Sequence, residues 1–210
     1  YSLAHTDPKI LKRSLGILGL QLFYHSWGVD YSRLSERIPS KNKSFGKGQI
    51  LMKDYFSKED ILIIIAEMAE EIAARLRKHN YFCRGVSLHI GFSKDCQESG
   101  FRKDYHLPNP TQDNKEIIHY FNYLFLENWK KQPVRQVYLS CTKVAPGKAI
   151  QTNLFDNGIN EEKEKSIDSV VDIIRQKYGK AAVFKAHSLE EGSTFLERSG
   201  HIGGHKGGTE

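Results

Sequence analysis

The stretch KNKSFGKGQILMKDYFSKEDILIIIAEMAEEIAARLRKH, residues 41–79, changes its hydrophobic period part-way along, and that change sets the fold class. From about Lys43 to Lys53 it reads as a strand with Gly46 and Gly48 near its start. Asp54 and Ser57 then lead into a helix predicted over Lys58 to His79, where Ile61, Ile65, Met68, Ile72 and Leu76 recur with the 3.6-residue spacing of one helical face. Glu67, Glu70, Glu71, Arg75 and Lys78 fall between them and are expected to face water.

Downstream, Arg84 to Phe92 alternates, with Val86, Leu88, Ile90 and Phe92 on one side and Gly85, Ser87, His89 and Gly91 on the other, the mark of a half-covered strand. Phe101 to Leu107 reads as a third strand of either orientation. A helix follows from Lys115 to Trp129, carrying Ile117, Ile118, Phe121, Leu124, Phe125 and Trp129, and Val134 to Val144 forms a fourth strand. The order βαββαβ predicts an α+β fold, a four-stranded antiparallel sheet with both helices on one face. The other face then presents Ser87, His89, Gln136, Tyr138, Ser140 and Thr142. Such a polar, small-residue surface suits a nucleic-acid backbone and equally describes the ordinary outside of a two-layer domain.

Upstream, Asp7-Pro8 opens a short helix that closes near Gly16, and a second runs from about Gly19 to Trp27 and stops at Gly28. Glu36 to Ser44 reads as a basic linker. Beyond Ala145-Pro146-Gly147 comes QTNLFDNG, then a helix from about Glu161 to Lys177 whose Ile167, Val170, Val171 and Ile174 need a neighbour. Gly200 to Glu210, with five glycines, reads as a flexible tail. The expected organisation is a short-helix module over residues 1–35, a sheet domain over 36–145 and a C-terminal part over 146–210.

The 210 residues are enough for one or two domains, and 39% hydrophobic with 27% charged residues excludes a chain disordered throughout. The longest apolar run, Ile61 to Ala69, is interrupted by Glu67 and falls short of the roughly 18 residues that suggest a membrane span. No membrane partner is expected, and the chain reads as cytoplasmic. Cys83, Cys96 and Cys141 have no zinc spacing and read as reduced, mostly buried thiols. The net charge of +6 is uneven: +5 over residues 1–55, zero over 56–110, +3 over 111–150 and −2 over 151–210. A basic front half favours a polyanionic partner.

Nucleotidyl or phosphodiester chemistry needs carboxylates grouped to hold divalent ions. Asp54, Asp95 and Asp104 each sit beside a lysine or arginine and read instead as neutralisers of surface charge. No phosphate loop, HExxH or GxSxG motif is present. Cys141 lies in the apolar register of its strand and reads as a core thiol, and His201 and His205 lack further ligands beside them. The expectation is therefore no catalytic residue, no metal site and no cofactor within these residues. A phosphate grip fits better. Lys41, Lys43, Ser44, Lys47 and Gln49 surround Gly46 and Gly48, whose missing side chains let the backbone approach a bulky group while lysines and N–H donors meet phosphate oxygens. Arg84, Arg102 and Lys131 with Arg135 extend the positive stripe. None of these residues requires a particular base, so the contact would be independent of sequence and sensitive to salt. A solvated basic face is the plainer reading of the same residues.

Lys43 to Tyr55, KSFGKGQILMKDY, resembles the opening strand of the little-finger domain of Y-family translesion DNA polymerases, and the βαββαβ order matches that domain. Leu3 to Asp30 is similar to the end of their thumb, where a helix-hairpin-helix closes on a phrase like Gly28-Val29-Asp30, and Asp168 to Leu189 resembles the tail of the bacterial UmuC-like branch. The resemblance implies a non-catalytic C-terminal part of a DNA-directed repair polymerase that holds primer-template duplex through Lys43, Ser44 and Lys47, with Arg84, Arg102 and Arg135. It also implies that palm and fingers precede this part and carry the Mg2+ ions, the dNTPs and nucleotidyl transfer. Gln151, Thr152, Asn153, Leu154 and Phe155 resemble the pentapeptide with which bacterial polymerases dock on the sliding clamp, Gln151 making polar contacts and Leu154 with Phe155 filling an apolar pocket. Leu154 and Phe155 pinning the connector onto its own domain is the alternative. A stand-alone protein-interaction or regulatory module of DNA repair is the rival function.

Overall fold

Short helices open the structure, a computed structural model that describes residues 1–33, 35, 43–147, 159–199, 201–202 and 205–206. The chain divides into two units, residues 1–40 and 41–210. In the first, α1 (Ser2–His5), α2 (Pro8–Leu15) and α3 (Ile17–Ser26) follow one another closely. Asp7 caps α2 by accepting from Lys9 N at 2.7 Å, with Pro8 at the first helical position. Trp27 Nε1 donates to the Ala4 carbonyl at 3.0 Å and fastens the end of α3 to α1. Among these helices only Gly19 is buried, while Ile10, Leu15, Ile17, Leu18, Leu22, Tyr24 and Trp27 stay exposed, so this unit has little core of its own.

The second unit contains β1 (Phe45–Tyr55), α4 (Lys58–Lys78), β2 (Tyr81–Phe92), β3 (Gly100–Thr111), α5 (Asn114–Asn128) and β4 (Val134–Thr142). Ser57 Oγ accepts from Asp60 N at 3.3 Å to start α4, and Asp113 accepts from Glu116 N at 3.0 Å to start α5. The strands lie in the order β1-β4-β2-β3, and every neighbouring pair is antiparallel. A two-residue strand, β5 (Ala145–Pro146), pairs with the beginning of β2. The α+β fold expected from the sequence is the fold observed. Val86, Leu88 and Ile90 of β2 and Val137, Leu139 and Cys141 of β4 pack under Ile61, Ile65, Met68, Ile72 and Leu76 of α4 and Ile117, Phe121 and Phe125 of α5. All of these are fully buried. Pairing also settles the orientation of the third strand: Asp104 lies opposite Ser87 and Arg102 opposite His89, so both charged residues belong to the face away from the helices.

Of the side of α4 expected to face water, Arg75 and Lys78 are exposed, but the glutamates are covered. Glu67 is 2% and Glu70 is 5% accessible, because the C-terminal residues cross over them. That segment comprises α6 (Ile159–Tyr178), single 3-10 turns at Lys180–Ala182 and Ala186–Leu189, and α7 (Phe195–Ser199). Arg77 Nε and Nη2 form a fork on Asp172 at 2.6 and 3.1 Å. Lys185 Nζ stands 2.7 Å from Glu70 Oε1. Glu67 accepts from Ser193 Oγ at 2.5 Å, Thr194 N at 3.3 Å and Arg198 Nη2 at 3.0 Å. A buried carboxylate is tolerable when donors from elsewhere in the chain compensate its charge, and a periodicity of apolar residues cannot register that. The same packing half-covers Val171 and Ile174 of α6 and leaves Ile167 and Val170 exposed. Past Ser199, the expected flexible tail contains a short antiparallel pair, β6 (His201–Ile202) with β7 (His205–Lys206).

Candidate nucleic-acid interface

Strand alternation and register build the open face row by row. Gly46, Ser140, Ser87 and Asp104 lie side by side across the four strands, followed by Gly48, Tyr138, His89 and Arg102, then Ile50, Gln136, Gly91 and Gly100. Thr142, Gly85 and His106 make a shorter row at the other end. The polar and small residues expected on this face are therefore gathered there.

Gly46 and Gly48 do admit a bulky group, and that group is Tyr138 of the neighbouring strand. A Cβ on Gly46 would stand 2.6 Å from the Tyr138 hydroxyl oxygen, and one on Gly48 would stand 2.9 Å from Tyr138 Cδ2. The ring thus lies across both glycines and remains 40% exposed. β1 is also an edge strand, and alternate residues of such a strand direct N–H and C=O away from the sheet. The Gly46 carbonyl is one of these, accepting from Arg75 Nη1 at 2.9 Å.

The predicted phosphate ligands do not share one surface. Lys43 and Ser44 are exposed just ahead of β1, where Lys43 Nζ donates to the Tyr81 hydroxyl at 2.7 Å and lies 4.9 Å from that ring's centroid. Arg84 is exposed at the same end of the sheet, its carbonyl accepting from His106 Nδ1 at 2.7 Å. Lys143 Nζ lies 3.4 Å from the same imidazole nitrogen. Arg102 is exposed on the open face of the far edge strand, 3.9 Å from Asp104. Arg135 sits where the pairing of β4 shifts register, and its Nη1 lies 3.4 Å from Asp54 Oδ1.

Lys47 and Gln49 correct the expectation that they share a surface with the two glycines. Alternation turns both to the helix-covered side, where Lys47 Nζ is paired with Glu71 and Gln49 Oε1 accepts from Thr194 Oγ1 at 3.3 Å. Lys41, Gln151, Leu154 and Phe155 lie outside the described residues. Arg75, His106, Lys143 and Tyr138 were not among the predicted ligands. The i, i+4 row Glu67, Glu71, Arg75 carried the only sequence signal for Arg75, marking one stripe of α4.

Cys141 is fully buried, and the adjacent Cys83 thiol together with burial pushes its own thiol well above the usual range, as suits a core residue and not a nucleophile. Among the described residues no group of three or more His, Cys, Asp or Glu is placed to hold a metal ion. No helix among them is long and apolar enough to cross a membrane.

A four-stranded antiparallel sheet with two helices on one face and a polar open face defines a little-finger-like domain. Residues 42–154 match the model of the impB/mucB/samB family C-terminal domain, and the chain belongs to that family, homologous to the Y-family, UmuC/DinB-like translesion polymerases. It is 36% identical over 204 residues to UvrX of Bacillus subtilis, assigned by name to UV-damage repair, covering 97% of this chain and 49% of the relative. DNA polymerase IV 2 of the same organism is 30% identical, covering 93% and 47%. The DNA repair protein homolog YobH, also of Bacillus subtilis, is 38% identical over 115 residues, covering 55% and 53%. The chain spans about half the length of these relatives.

Proposed function

We propose that this chain is the DNA-holding part of a translesion polymerase and grips primer-template duplex through its phosphates, largely independent of sequence. The observation that carries the reading is the open face, whose small and polar rows include the exposed Arg102 at the far edge, with the exposed cations Lys43 and Arg84 flanking one end of the sheet. Small side chains let a phosphodiester chain lie close, and none of the three cations is aligned with groups that would distinguish one base from another. Lys47 and Gln49 are left out of the grip because their side chains are engaged with Glu71 and Thr194. Palm and fingers, with Mg2+ and dNTPs, supply nucleotidyl transfer in this reading.

Fluorescence anisotropy of a labelled primer-template duplex across a salt series tests the grip. Binding that is equal for a scrambled duplex and falls with salt by about 0.9 log units per log unit for each phosphate neutralised supports it. Absence of binding, or indifference to salt, overturns it.

The sliding-clamp contact through Gln151, Leu154 and Phe155 is proposed on its sequence pattern and its place after the sheet domain. Replacing Leu154 and Phe155 with alanine is expected to abolish clamp capture in surface plasmon resonance while DNA affinity is unchanged. Unaltered clamp capture rejects the assignment.

A further inference from the structure

Three cations from distant parts of the chain meet at one carboxylate beside the free edge of β1. Glu71 Oε2 is paired with Lys47 Nζ and lies 3.3 Å from Lys180 Nζ, and Glu71 Oε1 accepts from Arg198 Nη1 at 2.8 Å. One turn further along α4, Arg75 holds the outward carbonyl of Gly46. Glu67 shares Arg198, so three cations contact two carboxylates, with Arg75 one turn away. The members differ in what they have left to offer. Arg198 is 10% accessible and donates to Glu67, Glu71 and Thr194, which commits it to holding the segment in place. Lys180 has 66% of its side chain in solvent and, among the described residues, shares the Glu71 carboxylate with two other cations.

Its position is fixed by the backbone. Gly179 closes α6 with φ +95°, a conformation that strains any other L residue, and a Cβ there would meet nothing within 4 Å, so the glycine is needed for the turn and not for space. Arg175 Nε braces the turn from inside by donating to the Val183 carbonyl at 2.7 Å.

We propose that the C-terminal segment extends the DNA-binding surface, with Lys180 contacting a phosphate of the duplex at the β1 edge beside Arg75 and Lys47. This rests on the duplex grip proposed above and adds to it a contact outside the sheet. The ionisation of the neighbours agrees with an excess of positive charge. Burial opposes ionisation of Glu71, yet Lys47, Arg198 and Lys180 outweigh it and hold the carboxyl below its usual range. Burial lowers the Lys47 ammonium, and the cations Arg198 and Lys180 add to that effect against the pull of Glu71.

The test measures anisotropy of a primer-template duplex across salt for residues 1–210 as wild type, Lys180→Ala, Lys180→Glu, Lys43→Ala and Lys130→Ala. Lys130 is exposed beyond the end of α5 and controls for net charge. Lys180→Ala is expected to weaken binding severalfold at low salt and to lower the salt slope by about 0.9, the value of one phosphate contact. Lys180→Glu should lose more, and Lys130→Ala should match wild type. If Lys43→Ala weakens binding while both Lys180 variants match wild type, the tail contact is wrong and the sheet grip stands. An equal loss in Lys180→Ala and Lys130→Ala also overturns it, as an effect of net charge. A wild-type chain without salt-sensitive binding removes the grip and this contact together.

Discussion

Arg198 and Glu67 stand 131 residues apart in sequence and 3.0 Å apart in space, their side chains 10% and 1% accessible. Removing one partner of such a pair strands the other charge in a desolvated place. Arg198→Ala is therefore expected to cost about 3–5 kcal/mol in urea unfolding, whereas Lys180→Ala, at an exposed pair, should cost less than about 1 kcal/mol. Similar small losses in both variants would show that water reaches Glu67.

Glu71 gives the pH dependence a definite sign. Its carboxyl is held low in the folded chain, so its stabilising contribution is present above the usual carboxylate value and is lost as pH falls below about 4.5 through the folded value. Urea midpoints taken from about pH 6 to about pH 3 should decline less steeply in Glu71→Gln than in wild type. Asp168 acts in the opposite direction, because burial raises its carboxyl against the pull of Arg77. Its contribution grows on acidification, and Asp168→Asn should make the acid decline steeper. An unchanged acid slope in either variant rejects the corresponding assignment.

Gly48 and Tyr138 form a packing pair on the open face. Gly48→Ala is expected to displace the ring and to destabilise by about 1 kcal/mol, since the added carbon meets Cδ2. In a Tyr138→Ala background the same change should cost close to nothing. Equal costs in the two backgrounds would mean that the glycine is required for another reason.

Lys43 is exposed just ahead of β1, whereas Gln49 is half-buried within it. Lys43→Ala should lower the salt slope of duplex binding by about 0.9, while Gln49→Ala should leave binding unchanged because its side chain is bonded to Thr194 beneath the sheet. Loss of DNA affinity in Gln49→Ala would mean that its side chain, and not only the exposed cations, takes part in the grip.

The elements of the sheet domain were legible because each buries an apolar face against the core. Ile61 to Leu76 and Val86 to Ile90 carry clear periods of 3.6 and 2 residues, and α4 and β2 follow from them. The grip was only partly legible. A run such as Lys43 to Gln49 gives composition, and only register decides that Gly46 and Gly48 face outward while Lys47 and Gln49 do not. The second covered side of α4 left no apolar trace, since Glu67, Glu70 and Glu71 are matched by Arg198, Lys185 and Lys180, which no local window contains. Tyr138 over the glycines was hidden for the same reason, its partners lying on another strand.

The long separation between Glu67 and its donors also sets an order of events during synthesis. At about 5–20 residues per second, Arg198 emerges on the order of 10 s after Glu67. The four long strands and both helices are complete in sequence by Thr142, and the fully buried core they form takes no residue from the later helical segment. On the ribosome the acidic stripe of α4 stays hydrated while the core closes beneath it. The carboxylates leave water only when their counter-charges arrive, so their burial follows the closing of the core instead of accompanying it.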